Sequence, residues 1–101
     1  MVKVVWAVRA IDDLNSIAEY HSSYLEDYTS SIISKLFNEV NTLKKMPKAG
    51  RKVLDSNDEN IRELIVRELI EGDYRIIYQL KGDERIEVLL VHHSSRPLEN
   101  F

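Results

Sequence analysis

Apolar and polar positions change their period twice along this chain. Residues 2–8, VKVVWAV, form a β-branched and aromatic run that predicts a strand. From Ala10 the spacing becomes helical: Ala10, Ile11, Leu14, Ile17 and Ala18 make one stripe, which breaks near His21, Ser22 and Ser23. Asp12 and Asp13 fall in the predicted first turn, where the helix dipole favours negative charge. A second stripe, Ile32, Ile33, Leu36, Phe37, Val40 and Leu43, predicts a helix of about four turns. Met46-Pro47 ends it, because proline pushes the residue before it out of the α region. Lys44 and Lys45 at that end complement the carbonyl pole of the dipole. Two amphipathic helices with a short polar join predict an antiparallel hairpin.

The last third has period two. Residues 61–70, IRELIVRELI, fit either element by pattern, and their β-branched content with the turn that follows favours a strand. Gly72-Asp73 and Gly82-Asp83 are expected hairpin turns, glycine supplying the positive φ a tight turn needs. Residues 74–80 and 85–92 are the flanking strands. Val88 to Val91 are apolar on both faces, which places the last strand inside the sheet. The expected order is β-α-α-β-β-β, an α+β fold in which a helical hairpin packs on one face of a small, mostly antiparallel sheet. No linker, repeat or low-complexity stretch interrupts it, so residues 1–101 read as a single domain.

This pattern distributes the polar chemistry. Tyr74, Ile76, Tyr78 and Leu80 share the face that should meet the helices, while Arg75, Ile77 and Gln79 share the other. Arg75 is thereby expected on an uncovered face, either solvated or paired with a cross-strand glutamate such as Glu87. His92 continues the Ile86, Val88, Leu90 side and His93 the Leu89, Val91 side, so the two histidines point apart. Arg96 lies just beyond, and Pro97 forbids further regular pairing. Adjacent histidines at a strand end read first as polar punctuation.

Composition narrows the function classes. A chain of 101 residues, 44% hydrophobic, suits one domain burying roughly two-thirds of its unfolded surface. The absence of cysteine excludes disulfides, thiolate catalysis and cysteine-based zinc sites. A net charge of −3 excludes a globally basic nucleic-acid binder. The opening MVKVVWAVRAIDD lacks a signal peptide's apolar core, and no apolar run approaches the ~20 residues that span a bilayer, so a cytoplasmic protein with no membrane partner is expected. Against this acidic whole, Lys44, Lys45, Lys48, Arg51 and Lys52 put five cations into nine residues around Pro47. That cluster reads as a helix end with a solvated loop, or as a basic patch for RNA, DNA or an acidic peptide. There is no Ser-His-Asp order, phosphate loop or dinucleotide fingerprint, and His21 is the only histidine besides the adjacent pair. No metal or cofactor is expected.

Four motifs carry the reading further: P-x-x-G-R (Pro47, Gly50, Arg51), IREL at 61–64, DYRIIY at 73–78 and VHHSSRPL at 91–98. In this order and over this length the chain resembles the RelE/ParE superfamily, the toxins of type II toxin–antitoxin and plasmid-stabilisation modules. The resemblance implies an antiparallel sheet carrying a helical hairpin, which agrees with the periodicity. It also implies one of two activities. RelE-like members are ribosome-dependent messenger RNA endoribonucleases that use lysines and arginines to stabilise the phosphate transition state. ParE-like members bind and block DNA gyrase. The paired lysines that RelE-like toxins carry on the strand before GYR correspond here to about Val66 and Glu68, and the chain stops at Phe101, before that branch's C-terminal helix and late tyrosine. The resemblance therefore favours the ParE-like branch, with a gyrase-binding toxin that is not an enzyme. The ribonuclease alternative would use Arg75, Arg96 and His92 or His93, and a third alternative is a relative that has lost toxicity. In each case the implied partner is a cognate antitoxin, ParD-like or related, in a hetero-oligomer. The residues expected to meet antitoxin or target are Lys48, Arg51, Lys52, Arg62, Arg75, His93, Arg96 and Leu98, with cluster 44–52 and the open sheet face as landing sites.

Overall fold

A computed structural model of the chain describes residues 2–22, 26–53, 66–82 and 84–93, with the backbone alone at 20–22 and 26–29. The elements are β1 (Lys3–Trp6), α1 (Val8–Ser22), α2 (Glu26–Thr42), β2 (Arg51–Lys52), β3 (Arg67–Glu71), β4 (Tyr74–Lys81) and β5 (Arg85–His93). They build one sheet in the order β1-β5-β4-β3-β2. The expected order holds, with β2 added: two residues are too few to show a period. β1 runs parallel to β5, Lys3 opposite Arg85 and Trp6 opposite Val88, while every other pairing is antiparallel. β5 is thus interior, as its double-sided apolar run requires. Gly72 (φ 58°) and Gly82 (φ 69°) occupy the two hairpin turns in the left-handed region. Of the expected strand 61–70, residues 61–65 lie outside the described residues.

Two helix boundaries differ from the sequence reading. α1 opens at Val8, so Asp12 and Asp13 fall in its second turn and not where the dipole would hold them. α2 stops at Thr42, before Met46. Its last carbonyls are taken by backbone donors: Leu43 N–H to Val40, Lys44 N–H to Asn41, and the Lys45 and Met46 N–H groups to Thr42. The Thr42 hydroxyl donates to the Glu39 carbonyl at 2.6 Å. The tightened turn ends the helix before proline can, and the lysines stand beyond it.

The two stripes meet the sheet much as their spacing predicts. Ala10, Leu14, Ile17, Leu36 and Val40 pack against Ile76, Val88 and Val91, and Leu43 closes over Tyr78 and Ile86. A smaller cluster, Val53, Val66, Ile77 and Leu90, covers the opposite face. Two stripe members are not core: Ile11 is 47% exposed and Phe37 43%.

β5 carries a bulge. Ile77 faces Leu90 while Tyr78 faces Val88, which leaves Leu89 without an opposite residue. One extra residue exchanges the faces beyond it. Val91 and His93 therefore continue the Ile86, Val88 side, and Leu90 and His92 lie with Ile77 on the far side. The histidines do point apart, but each on the face opposite to the one expected.

Candidate functional site

The face away from the helices holds a row of charge across four strands. Glu68 on β3 is opposite Arg51 on β2, and Arg75 on β4 is opposite His92 on β5. The Arg51 Nε–H donates to Glu68 Oε1 at 2.7 Å, and the Arg75 Nε–H donates to Glu68 Oε2 at 2.6 Å. The Arg75 Nη2 also pairs with Glu68 Oε2. The Glu68 and Arg75 side chains are 3% and 6% exposed, whereas that of Arg51 is 74% exposed. This corrects the placement of Arg75 on an open face. Glu68 and Arg75 lie buried on the same side as the cluster of Val53, Val66, Ile77 and Leu90. Glu87, the partner expected for Arg75, pairs instead with Lys81 at 3.1 Å.

One carboxylate thus binds two guanidinium groups. Such charge-assisted bonds are strong where water is excluded, and they fix the buried Arg75 guanidinium against Glu68.

Beside the row, the P-x-x-G-R loop is fastened to the sheet. The Tyr78 hydroxyl donates to the Pro47 carbonyl at 3.0 Å and accepts from the Gly50 N–H at 2.8 Å. Arg67 Nη1 donates to the Gly50 carbonyl at 2.7 Å and to that of Lys48 at 3.4 Å. A Cβ at Gly50 would lie 2.5 Å from the Glu68 carbonyl oxygen and 2.6 Å from the Tyr78 hydroxyl, so only glycine fits. Burial raises the Tyr78 pKa above the usual phenol value, against the Gly50 bond and the Arg67 charge, which keeps the hydroxyl a donor at neutral pH. Lys48 and Lys52, with Lys44 and Lys45, are exposed around this fixed loop.

At the other end of β5, β1 has turned away after the Ala7 N–H to Val88 carbonyl bond of 2.9 Å. Asp13 of α1 takes over there, its Oδ2 accepting the Val91 N–H at 2.9 Å. Burial raises its carboxyl above the usual range, opposed by that bond and by Arg9 and His92. His93 is exposed and stacks edge-on against Tyr74, with ring centroids 5.4 Å apart. His92, half-buried on the far face, is separated from it by the plane of the sheet.

Near the β1 edge an open, mostly apolar cleft of about 340 Å³ is lined by Trp6, Ile11, Leu14, Asn15, Ala18, Ile33 and Phe37. Trp6 and Phe37 stack at 5.1 Å between centroids. The exposed positions of the two helical stripes, Ile11 and Phe37, are its walls.

Of the residues singled out from sequence, Arg51 and Arg75 meet through Glu68, and His92 stands opposite Arg75. Lys48 and Lys52 belong to the β2 edge, and His93 to the other face. Arg62, Arg96 and Leu98 lie outside the described residues. The sequence reading noted Glu68 only as a displaced lysine, and it missed both the Asp13 bond and the cleft. The signal for the cleft was present in Ile11 and Phe37, stripe members that stay exposed beside Trp6.

The comparisons agree with the geometry. The family model of the ParE toxin of the type II toxin–antitoxin system parDE matches residues 4–98. Among solved structures, a chain of the chromosomal ParDE toxin–antitoxin system from P. aeruginosa superposes with a TM-score of 0.69 at 19% identity, covering 92% of this chain and 96% of that one. A chain of the RelBE2 toxin–antitoxin complex from Mycobacterium tuberculosis gives 0.57 at 19% identity, covering 91% and 96%. Identities this low speak to the fold. Among curated proteins, none matches.

Proposed function

The chain belongs to the ParE toxin family of type II toxin–antitoxin systems, and from that premise we propose that it acts by binding and inhibiting DNA gyrase, with no nuclease activity of its own. The observation that carries the choice is the Glu68 carboxylate held between Arg51 and Arg75. Cleavage through a ribose 2′-hydroxyl needs an acid and a base positioned together beside the cation that stabilises the phosphorane. Here the buried guanidinium is engaged, and the two histidines of the strand end lie on opposite faces.

A cognate antitoxin is the second partner in this reading. The apolar cleft supports it: Ile11, Leu14 and Ala18 on α1 and Ile33 and Phe37 on α2 are spaced to receive the apolar stripe of an amphipathic helix. This moves the antitoxin's main landing site from the open sheet face to the helical hairpin.

The test is a supercoiling assay with purified gyrase, run beside primer extension on messenger RNA in a translating extract. Inhibition at micromolar protein with intact messenger is expected. Undiminished supercoiling together with cuts that vanish in His92→Ala would overturn the proposal in favour of the ribonuclease. Undiminished supercoiling, intact messenger and normal growth on overexpression without antitoxin would leave a non-toxic relative.

A further inference from the structure

Four lysines lead into the β2 edge, Lys44 and Lys45 in the turn after α2, Lys48 in the loop that follows and Lys52 in β2 itself, all exposed. Among the described residues, none of these four lysine side chains makes a hydrogen bond or an ion pair. The ordinary explanation for such a cluster is that it caps a helix and lines a loose loop. Neither half applies. The carbonyl end of α2 is closed by the N–H groups of Leu43, Lys44, Lys45 and Met46 and by the Thr42 hydroxyl, with no lysine side chain involved. The loop is fixed by four hydrogen bonds with Tyr78 and Arg67, and by a glycine seated against the sheet. The four cations are thus displayed from a rigid platform and committed to nothing within it. Among the described residues, the acid on the neighbouring strand, Glu68, is taken by its two arginines.

We propose that this edge binds the phosphate backbone of duplex DNA. Lysine is a strongly hydrated point charge that suits sequence-independent contact with phosphate. A backbone already held by the Tyr78 and Arg67 bonds spares the entropy of ordering the loop when phosphates dock on it. The stretch KKMPKAGRK contains no aromatic residue on which bases could stack, which disfavours single-stranded RNA. It exposes one large apolar side chain, Met46, where an acidic amphipathic peptide would need a row of anchors. The sheet order sets this edge at the opposite end from β1 and its cleft. A partner seated in the cleft leaves the lysines open, so protein and DNA can be held together. The inference does not depend on gyrase being the target.

The experiment is fluorescence anisotropy of the full chain with a labelled random-sequence duplex of about 25 base pairs, with no gyrase present. Four phosphate contacts predict a loss of roughly 100-fold in affinity between 50 and 200 mM salt. The variant Lys44→Gln/Lys45→Gln/Lys48→Gln/Lys52→Gln should lose at least ten-fold in affinity at 50 mM salt and most of the salt slope. Lys35→Gln, an exposed charge on α2, should leave binding unchanged, and circular dichroism melts should show both variants folded. Absence of binding at 50 mM salt, binding indifferent to the four substitutions, or tighter binding to single-stranded RNA or to a poly-glutamate peptide would each overturn it. Failure in the supercoiling assay with duplex binding intact would count against the gyrase reading alone.

Discussion

Glu68 and Arg75 are joined by a 2.6 Å hydrogen bond in which both side chains are almost sealed from water, and Arg51 closes the carboxylate's other oxygen. Removing one partner of such a pair leaves an uncompensated buried charge. Glu68→Ala should cost about 3–5 kcal/mol in urea unfolding. The double variant Glu68→Leu/Arg75→Met should recover most of that loss, because it removes both charges together. Arg51→Ala should cost less than about 1 kcal/mol, since its side chain is largely in solvent. Equal losses for Arg51→Ala and Glu68→Ala would contradict this ranking.

Gly50 and Tyr78 form the second dependent pair. Gly50→Ala forces a methyl group against a backbone carbonyl and a buried hydroxyl, and should cost about 1–3 kcal/mol. Tyr78→Phe leaves the Gly50 N–H without its acceptor at a similar cost, about 1–3 kcal/mol. Both should loosen loop 47–51, visible as faster amide exchange at Gly50.

Asp13 gives a pH dependence of defined sign. Its folded-state pKa is raised by burial above the ordinary value of 3.8, so the folded chain holds this proton more tightly than the unfolded one. The contribution is complete below that value and is lost as pH rises through the raised one. Asp13→Asn keeps an acceptor for the Val91 N–H without the charge, and should flatten the melting curves across that window. Asp13→Ala removes the acceptor and should cost about 1 kcal/mol or more at every pH. A melting temperature that climbs through the same window in the native chain and not in Asp13→Asn would refute the sign.

Ile11 and Phe37 test the cleft. Both are half-exposed, so Ile11→Ser and Phe37→Ser should change stability by no more than about 1 kcal/mol. Together they should weaken binding of the cognate antitoxin at least a hundred-fold by calorimetry. Unchanged affinity would move the partner elsewhere.

The parts of this fold that repeat along the chain are legible in its sequence. Leu14 and Ile17, or Leu36 and Val40, return at helical spacing because one face is buried, and Gly72 and Gly82 mark turns that need positive φ. What escapes is set by residues far apart or by a single insertion. Arg75 reads as solvated or paired with Glu87 because its actual partner, Glu68, and the cover of Val53 and Val66 come from elsewhere in the chain. The bulge at Leu89 leaves no mark in a run that is apolar on both faces, yet it decides which way each histidine points. Arg51 and Glu68 meet although 17 positions separate them, and only the short β2 brings them together. The P-x-x-G-R motif is visible as letters, but its meaning, a loop clamped by a tyrosine hydroxyl, requires the third dimension.

The parallel pairing of β1 with β5 has a consequence in time. The first strand finds its neighbour only when the last has left the ribosome, and the helical hairpin has no Val88 or Val91 to pack on before then. Contacts this distant along the chain are slow to form. A nascent chain therefore carries its helices without a finished core until β5 has emerged and paired with β1. An antitoxin present at that moment meets the toxin as its fold closes.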